Sequence, residues 1–97
     1  MDYNEFATAH RRLAVLEYLN RAATYTAHEV DLKAALAAGG QPVGTDVLRA
    51  DLQWLHEQGL VLANQPGGVW FATLTAKGGD VRQGLSTVPG VARPEPK

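Results

Sequence analysis

Arg49 and Gln53 lie four residues apart in the stretch Thr45 to Val61, TDVLRADLQWLHEQGLV. On a helix with 3.6 residues per turn, that spacing puts both side chains on one face, one turn apart. A guanidinium can pair through two hydrogen bonds with guanine, and a carboxamide can do the same with adenine, in the major groove of duplex DNA. Arg11, Arg12 and Lys77 are available for phosphates, whose contacts add affinity without reading sequence. The competing reading of Arg49 is an ion pair with Asp46 or Asp51, and exposed pairs of that kind contribute little.

Catalysis has no comparable candidate. Ser86 is the only serine, and it sits in a stretch read as a tail, so a serine hydrolase lacks its nucleophile. His10, His28 and His56 fall on three different predicted helices, without the i,i+4 partner that a helical metal site uses. There is no cysteine, hence no thiolate ligand, disulfide or cysteine nucleophile. The glycine pairs 39–40, 67–68 and 78–79 read as turns and caps, not as a phosphate loop. No enzyme, cofactor or metal is expected.

The elements that must position Arg49 and Gln53 follow from the apolar pattern. On the wheel, Val47, Leu48, Leu52, Trp54 and Leu55 share one side and Asp46, Arg49, Gln53, His56 and Glu57 the other. Thr45 caps this third helix, 46–58, and Gly59 ends it, because a positive φ just past a helix end suits glycine. The first helix, 5–22, is capped by Asn4 and buries an arc of Phe6, Leu13, Leu16 and Leu19, with Val15 at its margin. The second, 27–38, begins at a capping box, Thr26-Ala27-His28-Glu29, that accounts for Glu29 entirely. Strands are expected at 60–63 and 69–74 around a turn at Pro66-Gly67-Gly68, and Val43 is the one residue of the connection before the third helix that could pack inward. Thr75 caps a last helix, 76–83, with Val81 inward. Expected core residues are Leu13, Leu16, Leu36, Leu48, Leu52, Leu55, Leu60 and Leu74. The chain thus divides into a domain over 1–85 and a proline-rich flexible tail over 86–97.

Composition argues against the obvious function of such a layout. The net charge is −1, whereas nucleic-acid-binding domains usually carry a basic excess. The hairpin tip has no lysine or arginine to grip DNA. An acidic, polar opening, Met1-Asp2-Tyr3-Asn4-Glu5, is unlike a signal peptide, and no apolar run approaches the roughly 20 residues that span a bilayer. A cytoplasmic protein without a membrane partner is expected.

Asp51-Leu52-x-Trp54-Leu55-x-x-Gln58-Gly59-Leu60-Val61, the glycine turn, and Leu74-Thr75-x-Lys77-Gly78 together resemble winged helix-turn-helix proteins of bacterial regulator type. With the Val-Pro-Gly-Val-x-Arg-Pro segment, residues 5–91 are similar to the small ArsR-like proteins of Mu-like bacteriophages and prophages. The resemblance implies a mainly α fold with a small β-hairpin: three helices, a two-stranded wing and a short C-terminal helix, with a brief strand at Val43 joining the hairpin. It implies the third helix as the DNA-reading element, adding Thr45 and His56 to Arg49 and Gln53 at the groove. ArsR-type sensors bind metals through cysteines or paired histidines and acids, and this chain has neither arrangement, so the fold carries over and metal sensing does not.

Two functions stay open. One is transcriptional regulation through duplex DNA, where so few phosphate contacts require a symmetric homodimer reading two half-sites. The other is a protein-interaction module, such as a phage assembly or packaging adaptor, which suits Asp46, Asp51 and Glu57 on the third helix and the neutral wing.

Overall fold

The computed structural model describes residues 2–95. Four α-helices surround a small antiparallel sheet: α1 Tyr3–Arg21, β1 Thr26–His28, α2 Glu29–Ala38, α3 Thr45–Glu57, β2 Val61–Asn64, β3 Phe71–Leu74 and α4 Ala76–Gln83. The sheet has three strands in the order β1-β3-β2, with Ala27 opposite Ala72 and Val61 opposite Leu74.

Apolar periodicity explains the core. Leu16 and Leu19 of α1, Leu32 of α2, and Leu48, Leu52 and Leu55 of α3 are fully buried together with Leu60 and Val61. Leu13 and Leu36 are buried as expected, and Val81 of α4 faces inward. Leu74 is only half-buried. Phe6, expected in the buried arc of α1, is 51% exposed, because that arc runs past the end of α2.

The third strand corrects two expectations. The connection through Val43 forms no strand, and the edge of β3 is covered instead by residues 26–28. Thr26 is therefore not a helix cap: its hydroxyl meets that of Thr73 across the sheet at 2.9 Å. His28 caps α2, its Nδ1 accepting from the Val30 amide at 3.0 Å. Pairing with β3 satisfies the backbone of three residues and buries Ala27, which outweighs another turn of helix. The chain enters β1 through a tight turn in which Thr24 and Tyr25 take positive φ.

Other helix ends move by a few residues. Asp2, not Asn4, caps α1, accepting from the Glu5 amide at 2.8 Å. α3 begins at Thr45 after Gly44, so the Thr45 hydroxyl is released from capping and accepts from Lys33 Nζ at 3.0 Å. Thr75 does cap α4, and Gly59 does take a positive φ, +76°. Gly78 is dictated by proximity: a Cβ there would lie 2.1 Å from the Leu60 carbonyl oxygen.

The expected flexible tail is corrected over residues 88–92; residues 96 and 97 lie outside the described residues. Val91 is buried, and Val88 and Ala92 are partly buried against the core. The Ala92 amide donates to the Ala9 carbonyl at 3.1 Å, and Arg12 Nη1 donates to the Gly90 carbonyl at 3.2 Å. A positive φ at Gly90, +100°, turns the backbone closely over Trp54. Two valines three residues apart around one glycine are enough apolar surface to hold this segment.

A candidate interaction face on α3

α3 packs Leu48, Leu52 and Leu55 into the core and turns Asp46, Ala50, Gln53 and Glu57 to water; Val47, expected on the buried side, is 44% exposed beside them. Arg49 lies beside that ridge but is already engaged. Its Nε donates to Glu29 Oε1 at 2.9 Å and its Nη2 to Oε2 at 3.1 Å, the two-pronged geometry it was expected to offer a base. Nη2 also approaches the Gly68 carbonyl at 3.4 Å.

Glu29 is the hub of this corner. Its side chain is 6% exposed, and Oε2 accepts from the Trp70 amide at 2.6 Å as well. The Trp70 carbonyl in turn accepts from the Glu29 amide at 2.9 Å. The Arg49 hydrogen bonds, aided by the Trp70 amide, hold the Glu29 carboxyl below its ordinary range although burial pushes the other way. The same pair pushes the Arg49 guanidinium up. One carboxylate thus joins α2, α3 and the entry to β3.

Asp51 does the corresponding work on the opposite flank of α3. Its side chain is 4% exposed and accepts from Arg11 Nε and, at 3.2 Å, from Arg12 Nε. Arg12 also lies 3.9 Å over the Trp54 ring, a cation–π contact. Arg11 and Arg12, expected at phosphates, are therefore the bolts between α1 and α3.

The remaining expected contacts are spread out. Lys77 donates to the Gln58 carbonyl at 3.0 Å, closing the end of α3. His56 Nδ1 accepts from the Ala63 amide at 3.1 Å and ties α3 to β2. Gln53 is exposed and donates to Glu57 at 3.2 Å. The fold brings Thr45, Arg49, Gln53 and His56 to one helix, with Arg11 and Arg12 held by Asp51 on its opposite flank and Lys77 at its C-terminal end. Sequence reasoning missed Glu29 as a charge partner, since it read as a helix cap, and offered Asp46 or Asp51 to Arg49, whereas Arg49 pairs with Glu29 and Asp51 pairs with Arg11 and Arg12. Asp51 three residues before Trp54 was a usable sign, because that spacing puts it on the side of α3 that meets α1.

Among the described residues, no group of three or more ligating side chains could hold a metal ion, and no helix is long and apolar enough to cross a membrane.

The uncharacterized protein gp26 of Escherichia phage Mu is 39% identical to this chain over 94 residues, spanning 97% of each. The chain belongs to the family of Mu gp26. An uncharacterized Haemophilus influenzae protein is 33% identical over 78 residues, covering 79% of this chain and 76% of its own. No family profile matches the chain, and no solved structure matches it significantly.

Proposed function

We propose that this phage-family protein is a winged-helix domain that serves as a protein-interaction module, with the outward ridge of α3 meeting a protein rather than duplex DNA. The observation that carries the reading is the closure of Arg11, Arg12 and Arg49 onto two buried carboxylates. What α3 then presents is Asp46 and Glu57, neither in an ion pair among the described residues, with Asp31 exposed on α2. There is no lysine or arginine within the hairpin tip itself, and among the described residues Lys33 is the one cation beside the start of α3, against the Thr45 hydroxyl. A phosphate backbone approaching this side meets like charge, and counterion release has few cations to draw on. The winged-helix assignment is supported by helix, strand, helix, helix, then hairpin, with the first strand beside the last. In a phage, an assembly or packaging adaptor is a role of this kind.

One observation favours the second reading, a homodimeric regulator that binds DNA. Arg49 keeps 38% of its side chain exposed, with exposed Gln53 one turn along α3. A salt titration separates the two. The expected result is no saturable binding of the wild-type chain to mixed-sequence duplex at low salt. Saturable binding with a log–log salt slope of about −3 to −4 would instead report three or four phosphate contacts and restore the DNA reading.

A further inference from the structure

We infer that the cleft between α1, the end of α4 and the docked C-terminal segment is a docking site for a partner protein, and that it takes a segment carrying charges of both signs. An aspartate or glutamate of that segment meets Arg82 and Arg93, and a lysine meets Glu17 and Glu95. This rests on the reading of the chain as a protein-interaction module, but on different residues from the α3 ridge.

The cleft has a volume of about 840 Å³, toward the upper end of the range for small-molecule sites. α1 supplies Leu13 and Glu17, the end of α4 supplies Arg82, and the segment supplies Arg93, Pro94 and Glu95. The cleft exists because the segment docks. The Ala92 amide, bonded to the Ala9 carbonyl, lays the segment against α1. At the end of α4, a Cβ on Gly84 would lie 3.3 Å from Pro94 Cγ, so helix end and segment close on each other there. Leu13 is buried and Pro94 half-buried, which gives the cleft an apolar floor. Glu17, Arg93 and Glu95 are exposed around it, and Arg82 is half-buried.

Charge selects the occupant. Elsewhere the fold closes arginines onto buried carboxylates, as with Arg11, Arg12 and Arg49. Here it does not. Among the described residues, neither Arg82 nor Arg93 is in an ion pair, and neither is Glu17 or Glu95. Two guanidiniums and two carboxylates line one cleft without meeting at contact distance. Arg82 Nε is buried without an acceptor, out of a ligand's reach, which leaves the Nη1–Nη2 end of that guanidinium to a carboxylate. A row of phosphates or a wholly acidic segment would meet Glu17 and Glu95 as like charge. A wholly basic segment would meet Arg82 and Arg93 in the same way. A segment of alternating sign complements both pairs, with a small apolar residue between them over Leu13.

The test titrates the ¹⁵N-labelled full chain at low salt with a short peptide of alternating glutamate, alanine and lysine. Saturable shifts are expected at the Arg82 and Arg93 Nε–H and at the Leu13 amide. Arg82→Gln and Arg93→Gln should each weaken binding by about two- to fivefold, with the fold intact by circular dichroism. Arg93→Glu should reverse the preference, so that a peptide of lysine and alanine alone binds better than the alternating one. A merely structural arginine would give no such reversal, and exposed Arg93 carries the test even if Arg82→Gln fails to fold. No saturable shift, or equal binding of Arg93→Gln and Arg93→Glu to the alternating peptide, would overturn the proposal. So would inorganic phosphate shifting the same resonances at equal concentration, which would make the cleft a simple anion site. Shifts of the same residues on dilution without peptide would assign it to a second copy and overturn it too. Peptide failure without duplex binding sinks the cleft alone; peptide failure with saturable duplex binding sinks the interaction-module reading as well.

Discussion

Glu29 and Asp51 are the two buried carboxylates among the described residues, and between them they take three arginines expected at DNA. They do so differently. Asp51 lies in the α1–α3 seam between two guanidiniums that are themselves only 13% and 17% exposed. Glu29 lies at the rim, shared between the Trp70 amide and Arg49, whose side chain is 38% exposed. An arginine's availability to a partner is thus set by how deeply its carboxylate is buried and what else that carboxylate serves. The seam pair is a structural bolt; the rim pair is a latch that water can reach.

Removing the bolt should cost most. Asp51→Ala leaves two nearly buried cations without a counter-charge, an expected loss of about 3–5 kcal/mol in urea unfolding. That is a large share of a typical domain stability of about 5–15 kcal/mol. A loss under about 1 kcal/mol, the size of an exposed pair, would put Asp51 on a par with surface acids and remove the contrast. Gly90→Ala should come next. Its Cβ would lie 2.7 Å from the Trp54 ring at a φ of +100°, so the segment over α1 and α3 must lift. About 1–3 kcal/mol is expected, with a red shift of tryptophan emission; an unchanged spectrum would mean that the segment does not rest on Trp54.

Opening the latch should cost less than removing the bolt. In Glu29→Gln the amide still accepts from the Trp70 N–H, and Arg49 can turn to water. The same variant should raise low-salt duplex affinity and steepen its salt slope by about 1, because one cation has been released. A stability loss exceeding that of Asp51→Ala would reverse the ranking of the two pairs. The smallest effect is on acid stability. Glu29 titrates below its ordinary 4.5 in the folded chain, so its contribution is complete above that value. It is lost as pH falls through the lower folded value. Wild type should therefore lose stability below about pH 4.5 more steeply than Glu29→Gln, as read from unfolding midpoints across an acid series.

Much of the fold was legible because it depends on local rules. The leucines of α3, the positive φ at Gly59, the Pro66–Gly68 turn and the Thr75 cap each follow from a few neighbouring residues. β1 was not legible, because Thr26-x-x-Glu29 satisfies a helix cap as well as a strand leading into a helix. The choice is made by the edge of β3, some 45 residues away in sequence. The docked Val91 and the exposed Phe6 were hidden for the same reason, since each depends on which surface the fold brings alongside. The α3 residues were found, but their availability was not: Arg49 and Glu29 are 20 residues apart, and Arg11 and Asp51 are 40 apart.

The most direct measurement follows the Nε–H resonance of Arg49 in ¹⁵N-labelled wild-type chain at low salt while duplex DNA is added. The expected result is a slowly exchanging signal, shielded by Glu29, that stays in place through the titration while that of Glu29→Gln moves. A wild-type Arg49 signal that shifts saturably with duplex would show that the latch opens to DNA unaided, and would contradict the neutralisation of this face.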